Sequence, residues 1–123
     1  MIFGSVNARH EAVVRLRLRG PSGIEAETDA VVDTGFTAAL TLPAQVIASL
    51  GLIRKSRGQA ILADGSIKFF DIFASEVEWG AAWRAVLISA VGEEALMGMR
   101  MLAGHELRIE VVPGGAVEIV VKP

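Results

Sequence analysis

Apolar and charged residues alternate with a period of two along the first third of the chain, which is typical of β-strands with one solvent-exposed face. Apolar residues alternate with arginines over residues 14–19, and small residues alternate with acids over residues 25–30. The intervening Pro21-Ser22-Gly23 predicts a three-residue loop, because proline suits the start of a type I turn and glycine can adopt a left-handed conformation. Together these segments predict a β-hairpin.

The register implied by this loop places each arginine opposite an acid on the neighbouring strand. The predicted pairs are Arg15 with Asp29, Arg17 with Glu27, and Arg19 with Glu25. Such cross-strand pairs stabilise strand pairing by about 0.2–1 kcal/mol each. An arginine patch that binds phosphate is the less favoured interpretation, because the acids would neutralise it.

The middle of the chain predicts a short strand, a helix and a second hairpin. Residues 40–42 are expected to form a strand, and the following helix begins at Pro43 and ends at Gly51. The charged residues 54–57 are expected to form a loop. Asp64-Gly65 predicts a two-residue hairpin turn.

The strands that flank this turn are predicted at residues 59–63 and 66–73. A short helical turn is expected within residues 95–104. Later strands are expected at residues 76–79, 83–90, 107–112 and 116–121. Many short strands, regular turns and one or two short helices favour a mainly all-β fold, arranged as a closed or nearly closed β-barrel.

Length and composition limit the class of protein. A chain of 123 residues is expected to form a single domain, 1–123, with one core. The net charge of −2 and the lack of a basic run argue against nucleic-acid binding. No apolar stretch approaches the roughly 20 residues of a membrane helix, so no membrane association is expected. Residues 1–10 lack the pattern of a signal peptide, and the expected location is cytoplasmic.

Candidate metal ligands and common catalytic motifs are sparse. The chain has no cysteine, and neither His10 nor His105 has a second histidine or an acid at metal-ligand spacing. It contains no Gly-Xaa-Ser-Xaa-Gly sequence and no phosphate-binding glycine loop. The sequence therefore predicts no metal site and no cofactor.

The most informative motif is Asp33-Thr34-Gly35, which follows the apolar residues Val31 and Val32. A carboxylate at the end of a buried strand is costly unless it is hydrogen-bonded or shares a proton. A glycine after it lets backbone amides approach the carboxylate. The alternative is a simple turn in which Asp33 caps its own loop.

This motif, the Asp64-Gly65 hairpin and the later Leu96-Met97-Gly98 occur in an order that resembles retropepsin-like (clan AA) aspartic proteases, over about residues 11–112. Phe36 after the motif resembles a prokaryotic single-domain subgroup with Asp-Thr-Gly-Phe. The resemblance implies an acid-protease β-barrel. In such a fold Leu96-Met97-Gly98 passes beneath the Asp33 loop and precedes a short helix.

The resemblance also implies roles for individual residues. Asp33 would activate a water, Thr34 would cross-link two loops, and the amide of Gly35 would approach the carboxylate. The hairpin would be a flap over the substrate, with contacts at its tip, although an ordinary hairpin is the alternative. The residues of this tip are Ala63, Asp64, Gly65 and Ser66.

A chain of this length has only one such aspartate loop, so the second carboxyl of an aspartic dyad would come from another copy across a two-fold axis. The expected function is a homodimeric aspartic endopeptidase acting on a peptide or protein substrate. One carboxyl would act as general base and the other, protonated, would polarise the scissile carbonyl, as in the aspartic proteases that are the type case of this chemistry.

One departure from the family leaves an alternative open. Retroviral members follow the later glycine with Arg and then Asp, which buttress the dimer, whereas this chain has Met99 and Arg100. Asp29 or Glu106 could supply a carboxylate for Arg100. The alternative function is a non-catalytic peptide- or protein-binding module on the same barrel, because a fold does not fix a function.

Overall fold

The computed structural model describes residues 1–123 and is mostly β, with 54% of residues in strands and 9% in two helices. The all-β expectation is confirmed at this level. The strands are β1 (Ile2–Val6), β2 (Ala12–Arg19), β3 (Glu25–Val32), β4 (Leu40–Thr41), β5 (Ile53–Ile61), β6 (Ile67–Trp79), β7 (Ala82–Ser89), β8 (Leu96–Met97), β9 (His105–Ile109) and β10 (Ala116–Val121). The helices are α1 (Ala44–Leu50) and α2 (Met99–Leu102).

All ten strands belong to one sheet, in the order β5-β6-β7-β4-β8-β3-β2-β1-β10-β9. The long strand β6 also pairs with β2, through Leu18 with Val77 and Arg19 with Glu76. This extra pairing joins β6, β7, β4, β8, β3 and β2 into a ring, while β5 and β9 remain edge strands.

The first hairpin has the predicted loop and register. The Gly20 N–H donates to the Ile24 carbonyl at 2.9 Å, and Gly23 has a φ of 89°. All three predicted Arg–acid pairs stand opposite one another on β2 and β3.

The side chains of two of these pairs also meet, whereas that of Arg19 does not contact Glu25. Arg15 lies 3.1 Å from Asp29, and Arg17 lies 3.3 Å from Glu27. The Nε atom of Arg19 lies 2.8 Å from Glu76 instead, because β6 pairs with β2 at this point.

Two local expectations were wrong, and one strand was not predicted. Residues 54–57 belong to β5, with a bulge between Arg54 and Ser56, because an exposed edge strand tolerates consecutive charged side chains. The second turn is a three-residue loop in which the Gly65 N–H donates to the Leu62 carbonyl and Gly65 has a φ of 84°. Strand β1 was not predicted, because its alternation is interrupted by Gly4.

The core takes side chains from strands of the ring, from β1 and β10 outside it, and from both helices. Its centre is formed by the inward faces of β2 and β10, by α1 and by two methionines near the Asp33 loop. The residues with less than 2% exposure include Val14, Leu18, Leu50, Met97, Met101, Val117 and Ile119. Each such side chain contributes about 1.5–3 kcal/mol of burial free energy. Helix α1 ends before Gly51 (φ 64°), as predicted, but it begins at Ala44, one residue after the predicted start, because Pro43 is its extended N-cap (ψ 149°).

The longest helix has seven residues, so no helix of the chain is long and apolar enough to cross a membrane.

Candidate functional site

Asp33 begins the loop that joins β3 to β4. Its backbone N–H donates to the Met97 carbonyl at 2.8 Å, which fixes the point where the loop leaves β3. The loop then turns back, because the Phe36 N–H donates to the Asp33 carbonyl at 3.1 Å. The Gly35 N–H donates to Oδ1 of Asp33 at 2.9 Å. The loop therefore orients its own carboxylate.

Strand β8 lies between the two strands that the loop connects. It runs parallel to β3, with Val31 opposite Leu96 and Val32 opposite Met97. It runs antiparallel to β4, with Leu40 opposite Met97. The same two-residue strand thus pairs with both ends of the loop, and its second residue, Met97, is fully buried.

Gly98 lies directly beneath the loop. Its N–H donates to the Ala39 carbonyl at 2.8 Å, and the next N–H, that of Met99, donates to the Phe36 carbonyl at 2.8 Å. A Cβ atom at Gly98 would lie 2.1 Å from the Ala38 carbonyl oxygen and 2.6 Å from Phe36. Leu96-Met97-Gly98 therefore passes beneath the Asp33 loop, and α2 follows it.

Thr41 ties β4 to the segment that precedes β8. Its side chain is buried, and Oγ1 donates to the Glu94 carbonyl at 2.8 Å. The same oxygen accepts from the Leu96 N–H at 2.9 Å. This hydroxyl satisfies two backbone groups of a segment that has few other partners, and it was not identified from the sequence.

Asp33 is half-buried and lines a groove of about 560 Å³. Gly35 lies on the same side, and Gln59, Ala60 and Phe70 of the β5–β6 hairpin form the opposite side. No basic side chain lies within 4.0 Å of the Asp33 carboxylate, and its only hydrogen bond within the chain comes from Gly35. The Gly35 bond is expected both for a catalytic loop and for a simple self-capped turn.

The predicted hairpin-tip residues do not line this groove. Ala63, Asp64, Gly65 and Ser66 are exposed at the far end of the hairpin. Asp64 accepts hydrogen bonds from the Oγ and the N–H of Ser66, which lower the pKa of its carboxyl. The tip is thus a self-contained turn, and the groove is reached instead by the body of the hairpin.

Sequence reasoning missed Gln59, Ala60 and Phe70 as groove residues. Gly58 is the nearest available signal, because a Cβ atom there would lie 2.6 Å from the Phe70 ring. A glycine within a strand often marks such a close approach.

Thr34 lies on the other side of the loop. It is exposed and lines a second depression, of about 430 Å³, together with His10, Glu94 and Val111. Asp33 lines both depressions, so the loop separates two accessible surfaces.

Acidic side chains predominate near Asp33. Glu93 and Glu94 line the 560 Å³ groove, and no lysine or arginine does. The chain has no group of three or more His, Cys, Asp or Glu side chains arranged to hold a metal ion. What the geometry provides is an oriented carboxylate within an open groove.

No protein-family model, curated protein or solved structure matches this chain. The fold and the site define a mostly-β domain in which strand β8 pairs with both ends of an Asp-Thr-Gly loop.

Proposed function

We propose that this protein is an aspartic endopeptidase with a retropepsin-like acid-protease fold, active as a homodimer. The observation that carries the proposal is the Asp33 turn, whose two ends are both paired to β8 and which lines an open groove bounded on its other side by the β5–β6 hairpin. Such bracing is what a site needs when a carboxylate has to be held in one productive geometry.

The chemistry requires a second carboxyl, which we assign to Asp33 of another copy. Two such carboxyls sharing one proton can act together on a water, with one as general base and the other polarising the scissile carbonyl. Thr34 is exposed on the side of the loop away from the groove, beside Val111, which is 61% exposed. This surface is available for the two-fold contact.

The groove suits an extended peptide. Gln59 and Ala60 lie on the edge strand β5, and an extended chain can pass between this strand and the Asp33 loop. The proposed substrates are therefore peptides or unstructured protein segments.

The central test is Asp33→Asn, with Asp64→Asn as the matched control. Asparagine retains an oxygen that can accept from the Gly35 N–H, so the fold should be preserved, but it cannot take a proton from water. Cleavage of a peptide library should fall by about a thousandfold or more, which is within the range of general acid–base catalysis. Asp64→Asn should cleave at the wild-type rate.

Cleavage by Asp33→Asn at the wild-type rate would show that Asp33 is not the catalyst. Sedimentation of the wild-type chain with and without peptide tests the dimer in parallel. A chain that binds peptides, cleaves none and stays monomeric would instead be the non-catalytic binding module.

A further inference from the structure

Four of the nine arginines have no carboxylate within 4.0 Å. They are Arg57, Arg84, Arg100 and Arg108. Arg57 lies over the Phe69 ring at 4.9 Å, and Arg108 is exposed on β9. Arg84 and Arg100 line one groove of about 390 Å³, and no acidic residue lines that groove.

The Arg84 guanidinium is fixed in place by the backbone of α2. Its Nη1 donates to the Met101 carbonyl at 3.0 Å, and its Nη2 donates to the Arg100 carbonyl at 3.3 Å. Carbonyl acceptors orient the side chain but do not neutralise its charge. Arg100 is exposed and makes no side-chain hydrogen bond within the chain. The groove therefore carries two positive charges with no internal counter-charge.

This groove adjoins the one that Asp33 lines, because Thr37, Ala38 and Ser89 line both. A chain lying across Asp33 can therefore extend into it. The wall also contains Leu87, which is 53% exposed. An apolar wall with two guanidinium groups suits a side chain that has a methylene stem and a carboxylate end.

We propose that Arg84 and Arg100 form a subsite for an acidic side chain of the peptide substrate, which is best filled by glutamate. This inference rests on the proposed function for the position of the scissile bond. The acids Glu93 and Glu94 line the Asp33 groove, whereas the two arginines line the neighbouring groove. A peptide that spans both grooves therefore meets negative charge at one end and positive charge at the other, which favours one of its two possible orientations.

The test compares Arg100→Gln with Arg108→Gln, which removes the same charge from an exposed arginine outside the groove. Fluorescent peptides carrying Glu, the isosteric Gln or Lys at each position in turn are assayed for cleavage and, separately, for binding by fluorescence anisotropy. For wild type we expect about a tenfold preference for Glu at one position, which weakens at high salt. Arg108→Gln should keep this preference, Arg100→Gln should reduce it to about twofold, and Arg100→Glu should reverse it in favour of Lys.

The binding measurement distinguishes the subsite hypothesis from the peptidase hypothesis. Glu preference in binding without any cleavage would support the subsite while refuting the peptidase. Cleavage with no Glu preference at any position would refute the subsite and leave the peptidase standing. Two further results would also overturn the subsite. In the first, inorganic phosphate displaces Glu and Gln peptides equally well. In the second, Arg100→Gln changes the oligomeric state of the protein but leaves its preference between the peptides unaltered.

Discussion

Gly98→Ala is the sharpest test of how the Asp33 loop is supported. Gly98 has a φ of −99° and a ψ of −178°, an extended conformation that alanine adopts without penalty. The cost of the substitution is therefore steric. The new Cβ would lie 2.1 Å from the Ala38 carbonyl oxygen and 2.6 Å from that of Phe36. Ordinary contacts need more than 3 Å, so the loop has to move by about 1 Å.

The expected loss of stability follows from two contributions. Overpacking of this kind costs about 1–3 kcal/mol, and weakening the bonds that the Phe36 and Ala38 carbonyls accept adds about 1 kcal/mol. A total near 3 kcal/mol corresponds to a fall in the thermal midpoint of roughly 12 °C for a domain of this size. Because Asp33 moves with the loop, the proposed cleavage rate should fall by about 100-fold.

Gly23→Ala is the matched control. Gly23 lies in the hairpin loop before β3, at the end of that strand opposite to Asp33, and no atom would lie within 4 Å of its new Cβ. Its φ of 89° makes alanine unfavourable by about 1 kcal/mol through backbone conformation alone. If Gly98→Ala melted at the same temperature as Gly23→Ala, the loop would not rest on Gly98 and the steric argument would be wrong.

Two further predictions concern stability, both measured by thermal unfolding. Thr41→Val should cost about 1–3 kcal/mol, because the half-buried Leu96 N–H loses its acceptor. Thr28→Val should change stability by less than about 0.5 kcal/mol, because the Thr28 hydroxyl makes only a long, exposed bond of 3.4 Å to the Asp29 carbonyl. Hydrogen bonds from Arg15 and Arg17 lower the pKa of Glu27, and one from Arg19 lowers that of Glu76. These hydrogen bonds contribute fully to stability when the pH is above 4.5, the ordinary pKa of a glutamate. Their contribution is lost as the pH falls through the lower pKa that each carboxyl has in the folded state. Replacing both acids by Gln should reduce the acid dependence of the midpoint, and an unchanged dependence would contradict the assignment.

The elements that were predicted correctly depend on neighbouring residues. The register of the first hairpin follows from a proline–glycine loop and from facing charges, all within residues 15–29. The limits of α1 follow from Pro43 and Gly51. Interactions over a few residues leave a clear trace in the sequence.

The elements that were missed depend on distant pairing. Arg19 contacts Glu76 rather than Glu25 because β6 crosses onto β2, a contact 57 residues away in sequence. The charged start of β5 looked like a loop because an edge strand has little apolar patterning. The groove contacts of Gln59 and Phe70 depend on how the hairpin lies over the Asp33 loop, which no local pattern encodes.

The position of β8 also has a consequence for folding. The Asp33 N–H depends on the Met97 carbonyl, and the Val31 N–H depends on that of Ala95, so the loop acquires its support more than 60 residues after it is synthesised. Contacts of such high sequence separation form late and slow the folding of β-rich domains. On the ribosome, a nascent chain that ends before β8 therefore contains Asp33 but lacks the strand that supports the Asp33 loop. Any activity of this aspartate is delayed until the last third of the protein has emerged and folded.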